Sequence, residues 1–406
     1  MENLDELKKS GHQKIEWVSK HMKLLNTIQN SGYSLEGLRV AMAIHLEAKT
    51  AYLAVTLKRL GADVVITGSN PLSTQDDVAE ALKDFGITVY AKRTTSEEEY
   101  FSFLHEVLNH EPDLILDDGA DLTVLAHMER KDALKKLKGV SEETTTGVRR
   151  LENLEKSGIL RVPAIAVNNA KMKFMFDNRY GTGQSTLDSI MRNTNLLVAG
   201  KNFLVAGYGW CGRGIAMRVH GLGAKVMVTE VDPIKAIEAV MDGFEVGKIE
   251  ELAPKADFIV TATGVKDILS EEVIKNLKDG VVLGNAGHFN VEVPMDKIEK
   301  MANQSYEIRK NVTCYKINGK DIYVIGLGRL LNLAAGDGHP VEIMDISFAL
   351  QALSILYLAQ NHEKLSNKVY SYPEELDRKV ALLKLESLGI SIDTLTKEQE
   401  EYLNEF

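Results

Sequence analysis

Cysteine is nearly missing: Cys211 and Cys314 are the only two in 406 residues. Two thiols cannot build a disulfide framework, so a reducing, cytoplasmic setting is the expectation. Any excess of basic charge is also missing. A formal net charge of −10 removes the basic face that a nucleic-acid binder needs, so no nucleic-acid partner is expected. Long apolar runs are absent too. The longest, Ile346–Ala359, is interrupted by Ser347, Gln351 and Ser354 and reads as too short to span a bilayer. It is expected to be a buried or subunit-interface helix, with no membrane partner. The opening residues, MENLDELKKSGHQK, carry no apolar core of a signal peptide. There is no repeat of solenoid length and no low-complexity tract. A G-x-x-x-x-G-K-[ST] phosphate loop and a G-x-S-x-G elbow are both missing. His105 and His110 stand five apart, not the four that would put both on one helix face, so no metal site is expected.

What is present is the composition of an ordinary soluble protein, with 44% hydrophobic and 26% charged residues. Short β-rich runs alternate with helical stretches, which indicates an α/β fold with parallel sheets. Leu38–Ile44, Asp63–Thr67, Ile87–Ala91, Asp113–Leu116 and Ala164–Val167 read as buried strands in the first half. Asn202–Ala206, Lys225–Thr229, Phe258–Ala262, Val281–Gly284 and Ile322–Ile325 repeat the scheme. The expectation is two doubly wound, Rossmann-like domains joined by a hinge, plus a short C-terminal helical tail. The segment Asp177–Gly183 has two glycines and no apolar periodicity and suits the hinge, and Asn332–His339 is the second junction. The expected division is a substrate domain over 1–178 and a dinucleotide domain over 179–332. A return segment over 333–364 completes the first domain, and the tail runs over 365–406. Ser141–Gly147 (SEETTTG) reads, on composition alone, equally well as a polar turn.

Ligands in open parallel sheets bind beyond the carboxyl ends of the strands. Polar residues collect there: His45, Asp117, Asp118 and Asn168 in the first half, and Glu230, Thr263, Asn285 and His288 in the second. Two such rims facing each other across a hinge describe an active-site cleft. Gly207-Tyr208-Gly209-Trp210-Cys211-Gly212 is a G-x-G-x-x-G placed directly after an apolar strand and before a helix. The glycines permit a tight turn and close approach of backbone N–H groups to a pyrophosphate, which the helix N-terminus also attracts. Glu230 ends the next strand at roughly the twenty-residue spacing of the ribose-binding carboxylate, so NAD is expected over NADP. Cys211 reads as a small space-filler rather than a reactive thiol.

SEETTTGV, Asp177-Asn178, the glycine motif, Gly287–Phe289 (GHF), Gly328–Leu333 (GRLLNL) and Gly338–Pro340 (GHP) together resemble the adenosylhomocysteinase family over nearly the whole chain. The resemblance implies an NAD-dependent, reversible hydrolysis of a nucleosyl-homocysteine thioether to nucleoside and homocysteine. In that family NAD⁺ takes a hydride from C3′ of the ribose, and the ketone acidifies C4′–H. Homocysteine thiolate then leaves C5′, water adds, and the hydride returns. The resemblance marks His45, Asp118, Lys173, Asp177 and His288 as catalytic. It marks Glu47, Lys49, Asp118, Glu143, Lys173, Asp177 and His339 as substrate-binding. It marks Thr144, Thr145, Thr146, Asn178, the residues Gly207 to Gly212, Glu230, Ala286, Gly287, His288 and Asn332 as cofactor-binding. It also implies a homotetramer. Lys173 as a base would need a lowered pKa in the closed state.

The chain departs from the family pattern at four places. The usual His-x-Thr-x-Glu reads His45-Leu46-Glu47-Ala48-Lys49. Lys49 is a donor, which suits the 6-oxo group of hypoxanthine rather than an adenine amine, and Glu47 could accept the N1–H of hypoxanthine. S-inosyl-homocysteine is therefore an expected substrate, the alternative being that Lys49 simply pairs with Glu47 or Asp337. Thr182 stands where the family commonly has cysteine. Lys235 stands where an asparagine is common and adds positive charge near the adenine-side ribose, which leaves NADP tolerance open. The chain stops at Glu405-Phe406, without the extension that reaches a neighbouring subunit's NAD in many relatives. The rival readings are a two-domain NAD-dependent 2-hydroxy-acid dehydrogenase and a nucleotide-sensing protein with a dead site.

Overall fold

The computed structural model describes residues 4–405. Six strands rich in Val, Ile, Leu and Ala come first: β1 (Arg39–Ala43), β2 (Asp63–Thr67), β3 (Thr88–Val89), β4 (Leu114–Asp117), β5 (Gly139–Glu142) and β6 (Ala164–Ala166). A second group follows: β7 (Asn202–Ala206), β8 (Lys225–Thr229), β9 (Glu245–Val246), β10 (Phe258–Thr261), β11 (Val282–Asn285), β12 (Gln304–Arg309), β13 (Val312–Ile317) and β14 (Lys320–Ile325). The last strand, β15 (Val369–Ser371), returns to the first sheet. That sheet has seven strands in the order β15-β6-β5-β4-β1-β2-β3, every pairing parallel. The other has eight in the order β12-β13-β14-β11-β10-β7-β8-β9, parallel except for an antiparallel edge made by β12, β13 and β14.

Each sheet is covered on both faces. Val40 and Met42 of β1 join one apolar cluster while Ala41 and Ala43 join another. Phe203 and Val205 of β7 likewise face one cluster and Leu204 the opposite one. Period-two alternation with both faces apolar is the pattern of a sheet wrapped by helices. The strand order reverses between β1 and β4 in the first sheet and between β7 and β10 in the second. The crevices at those reversals are where open α/β sheets bind ligands.

Four expectations need correction. SEETTTG is not a turn throughout: Ser141 and Glu142 finish β5, and the helix Thr145–Lys156 follows, with Thr144 at its N-cap. A polar strand interior is tolerated there because Ser141 bonds Gln351 and Ser354, and Glu142 accepts the amides of Gly119 and Thr144. Asp177–Gly183, read as a hinge from its lack of apolar periodicity, is helical: a π-helical stretch, Phe174–Gly181, runs directly into the helix Thr182–Thr194. Its aperiodic pattern follows from the wider π turn. The tail is more than helical, since β15 extends the first sheet.

The fourth concerns the apolar run. It lies in a helix, Val341–Asn361, and Val341–Lys364 is long and apolar enough to cross a membrane by length and composition. The helix instead packs on the strands and helices of the first sheet, with Ile346, Phe348, Leu350 and Leu353 in the core. Asp345, Ser347, Gln351 and Ser354 on it are fully buried.

Asp345 has a defined structural duty. Its carboxylate accepts the amides of Leu24 (2.9 Å) and Leu25 (3.1 Å) at the start of the helix Lys23–Gln29. Asp345→Ala leaves both buried N–H groups unpaired and should cost about 2–4 kcal/mol. Urea unfolding of the variant against the parent checks this; a change below about 0.5 kcal/mol would contradict it.

Candidate active site

The rims of the two sheets enclose one cavity of about 850 Å³. Of the residues singled out in the sequence, His45, Glu47, Lys49, Asp118, Glu143, Thr144, Thr145, Thr146, Lys173, Asp177 and Asn178 line it from the first sheet's side. Gly207, Tyr208, Gly209, Trp210, Cys211, Glu230, Ala286, Gly287, His288, Asn332 and His339 complete the wall. Gly212 stands behind the wall, and Asn168 reaches the same cluster through hydrogen bonds.

The centre of the first rim is Lys173. The side chain is 5% exposed, and its Nζ lies 2.8 Å from Asn178 Oδ1, 3.5 Å from Asp177 Oδ1 and 3.6 Å from Glu143 Oε1. Burial opposes the charge on Lys173, but Asp177, Glu143 and Asp118 outweigh it and hold the ammonium pKa above its ordinary value. With the cleft free of substrate the group is therefore a proton donor. Burial also opposes charge on Asp177, yet Lys173, His339 and Ser347 together hold its carboxyl below the usual range. Glu143 takes the opposite direction. Burial, with Asp177 and Asp118 close by, pushes it up to about 8 despite Lys173. Asp177 and Lys173 are thus the ion pair, and Glu143 is a carboxyl poised to hold a proton.

His45 and His288 approach each other above this cluster, ring centres 5.6 Å apart, with Asp118 beside both. His45 Nδ1 bonds Ser73 Oγ at 2.7 Å, and its buried Nε2 has no partner. His339 Nδ1 lies 3.1 Å from Asp177 Oδ1, and its Nε2 is 3.3 Å from Thr182 Oγ1. Glu47 caps the helix Ala48–Arg59 by accepting the amides of Lys49 and Thr50. Lys49 Nζ is bound on two sides, 2.6 Å from Glu47 Oε2 and 2.8 Å from the Asp337 carbonyl.

The second rim fits a dinucleotide. Gly207 has φ of 95°, and a Cβ on Gly212 would stand 1.9 Å from the Gly207 carbonyl, so the turn admits only glycine at both places. The helix Trp210–Gly221 starts there and presents its free N–H groups. Glu230 accepts the amides of Tyr208 (2.6 Å), Val231 (2.7 Å) and Asp232 (3.1 Å), which fixes its carboxylate at the cavity edge. Thr146 Oγ1 and Asn332 Oδ1 are buried without a protein partner, as groups reserved for a ligand would be. Burial pushes the Cys211 thiol up, so it is not a reactive thiolate. Lys235 reaches Asp232 at 3.6 Å and also lines the cavity.

Several residues were missed by sequence reasoning. Ser347 donates to Asp177 Oδ2 at 2.7 Å, and Gln351 donates to Glu143. Their signal was the polar series 347, 351 and 354 on one face of an apolar helix. Glu142 ties the loops after β4 and β5 together, and Glu292 accepts the amides of Thr263 (2.9 Å) and Gly264 (2.8 Å). Ser73 had no sequence signal at all.

Two α/β sheets with a dinucleotide turn on one rim and a buried lysine–carboxylate cluster on the other define an NAD-using enzyme with a small-molecule cleft. The family described as "S-adenosyl-L-homocysteine hydrolase" matches residues 3–135, and its NAD binding domain matches residues 178–338. The adenosylhomocysteinase of Thermotoga maritima is 63% identical over 97% of this chain and 98% of its own. That of Archaeoglobus fulgidus is 56% identical over 98% of both chains. The S-inosyl-L-homocysteine hydrolase of Methanocaldococcus jannaschii is 52% identical over 98% of this chain and 97% of its own. The chain belongs to the S-adenosyl-L-homocysteine hydrolase family, and its second sheet is that family's NAD-binding domain.

The environment of His45 is testable. Burial pushes it down to about 4 from the ordinary 6.5, with His288 and His339 adding to the shift and Asp118 opposing it. The fold therefore favours neutral His45. Between pH 6.5 and about 4 the unfolded chain binds a proton that the folded chain does not, so this contribution to stability is full above 6.5 and is lost as pH falls to about 4. In ¹³C-histidine NMR spectra, the resonance that vanishes in His45→Asn should titrate near 4 without substrate. A midpoint near 6.5 would contradict the reading.

Proposed function

We propose that this protein hydrolyses nucleosyl-homocysteine thioethers reversibly, giving a purine nucleoside and L-homocysteine, and that S-inosyl-L-homocysteine is among its substrates. The observation that carries the choice of base is Lys49, buried at the cavity wall where the family pattern has glutamate. Two of its N–H groups are committed to Glu47 and Asp337, the very pairing given above as the alternative, so the inosyl reading rests on the third N–H, which is left for a ligand acceptor. An oxo group at purine C6 satisfies that donor, and an amine does not. Identity with relatives named for either substrate supports the broader activity.

When bound, NAD supplies a reversible hydride acceptor for the sugar C3′ carbinol. The chain's own groups do the rest. Lys173, with Asp177 and Asn178 holding it, donates to the ribose hydroxyls and fixes their direction. Before Lys173 can take a proton, one of its three carboxyl neighbours must lose its hold on the ammonium. Glu143, raised to about 8 by burial with Asp177 and Asp118 close by, is the group able to buffer that transfer. Neutral His45 offers its free Nε2 to accept a proton from the water that adds at C5′, on the side the sulfur leaves, and Asp118 with His288 closes that end. The surrounding side chains are nine-tenths buried, so water is scarce and each charge acts at full strength.

The domain division offered above, 1–178 with 333–364 against 179–332, belongs to this reading, since the cavity then lies between a substrate half and a cofactor half. So do a cytoplasmic location and a homotetramer. Self-association is supported by Val231, Ile234, Ile237 and Met241, which stand exposed together beside Glu230.

Two experiments test the proposal. Thiol release by Lys173→Met should fall by about 10²–10⁴-fold, with NAD still bound; turnover at the parent rate would overturn the role. The ratio of kcat/KM for the inosyl over the adenosyl substrate should be at least one. It should drop by roughly ten- to hundredfold in Lys49→Glu, the worth of one mismatched buried hydrogen bond of about 1–3 kcal/mol. A strong adenosyl preference in the parent enzyme sinks the assignment of base.

A further inference from the structure

The buried turn after β2 decides which ring nitrogen of His45 carries the proton. Ser73 Oγ donates to the Asn70 carbonyl at 3.1 Å, which spends its only proton. In the 2.7 Å contact between Ser73 Oγ and His45 Nδ1 the ring must then donate and the hydroxyl accept. Nε2 is left bare, buried and without a protein partner. The Asn70–Ser73 turn thus selects the tautomer of His45 and the direction of its lone pair.

Arg93, from the loop after β3, holds that turn from outside. Its backbone N–H donates to Asp76 Oδ1 at 2.7 Å, and the next N–H, of Thr94, donates to the Pro71 carbonyl at 2.9 Å. Its Nη1 donates to the carbonyl of Leu72, the residue before Ser73. Its Nη2 donates to the Ala334 carbonyl at 3.0 Å. Arg93 pairs with no carboxylate among the described residues, so both arms of its guanidinium are spent on main-chain oxygens.

Ala334 belongs to the cofactor side. It ends the short helix Leu331–Ala334, whose Leu331 lies in the core of the second sheet and whose Asn332 lines the cavity. The last carbonyls of a helix lack internal partners and favour a cation. The helix has supports of its own: Asn332 Nδ2 bonds Ser185 Oγ at 3.0 Å, and Asn193 Nδ2 bonds the Ala335 carbonyl at 2.6 Å. Losing Arg93 therefore leaves the cofactor side in place and frees the histidine side.

We propose that Arg93 is a positioning residue for the hydrolysis: its guanidinium ties the Asn70–Ser73 turn to the helix Leu331–Ala334 and so fixes His45 relative to the cofactor half. The proposal rests on the role given above to His45 at C5′. It separates two kinds of step. Oxidation at C3′ depends on Lys173 and the dinucleotide, whose supports do not include Arg93. Bond breaking and water addition at C5′ depend on His45, whose support does. The fork has a fixed span between two carbonyls, which an ammonium does not reproduce.

The test compares NAD-loaded parent, Arg93→Met, Arg93→Lys and Lys92→Met. Thiol release at saturating substrate should fall about ten- to hundredfold in Arg93→Met, while bound NADH forms on mixing with inosine or adenosine at a rate within about twofold of the parent. Arg93→Lys keeps the charge without the span and should recover part of the loss. Lys92→Met, which breaks only an exposed pair with Glu99, should change neither step. In ¹⁵N-histidine spectra without substrate, the His45 ring should carry its proton on Nδ1 in the parent and show both tautomers in Arg93→Met. Parent-like thiol release with a parent-like His45 ring in Arg93→Met would overturn the proposal. Equal slowing of both steps would do so too, because that marks a general loosening. So would a proton on Nε2 in the parent, which is read on the unmodified protein and does not depend on a variant that folds. A parent that neither releases thiol nor forms bound NADH would sink the assigned reaction instead, and a displaced His45 ring in Arg93→Met would still uphold the link through Arg93.

Discussion

A buried ammonium that must be neutralised is the constraint on which the rest of the site is built. Lys173 lies in a wall where water is nearly excluded, and an unpaired charge there costs several kcal/mol. Asp177 stands one turn away on the same irregular helix, Asn178 accepts from Nζ, and Glu143 closes the set from the end of β5. Placing these groups together requires the π-helical stretch Phe174–Gly181, because its wider turn sets Asp177 and Asn178 both toward the lysine. It also requires the long apolar helix, whose Ser347 and Gln351 satisfy the outer oxygens of Asp177 and Glu143. Removing any one member leaves charge or hydrogen-bonding capacity unpaired in a low dielectric, so the cluster is held as a unit.

The two sheets contribute different kinds of chemistry to one space. The first supplies side-chain charge: the lysine cluster, the His45–Asp118 pair and the Glu47–Lys49 pair. The second supplies mainly backbone: the glycine turn, the start of a helix, and a carboxylate, Glu230, pinned by three amides. Charge sits where a sugar and a base would be discriminated, and backbone sits where a pyrophosphate would be cradled. His288 is the exception, a side chain from the second sheet that reaches Asp118 of the first. It joins the two halves.

Much of this was readable in the residues. The strands β1, β2, β4, β7, β8 and β10 are apolar runs bounded by turn residues, and doubly wound sheets bury such runs on both faces. The glycine motif was legible down to Glu230, since each glycine there has a steric reason that survives in the structure. β5 was not, because Ser141 and Glu142 look like loop residues until their buried partners are known. β12 was hidden for a different reason: its Gln, Glu and Arg face solvent throughout, so no alternation shows. The lysine cluster was visible only as a resemblance, since Lys173, Asp177 and Glu143 gain their meaning from packing across the sheet. The polar breaks in the apolar helix were noticed as interruptions, yet each points into the site. The pKa of Lys173 could not be inferred at all. It depends on which of three carboxylates keep their charge after burial.

The central claim is that the buried lysine cluster acts on a sugar only while a dinucleotide is held against it. The most direct measurement is thiol release from a nucleosyl-homocysteine by enzyme stripped of its nicotinamide, before and after NAD is restored. The account predicts no measurable release from the stripped protein and full recovery on adding NAD back, with no net NADH formed during turnover. Cleavage at an undiminished rate without nicotinamide, or stoichiometric release of NADH, would contradict it.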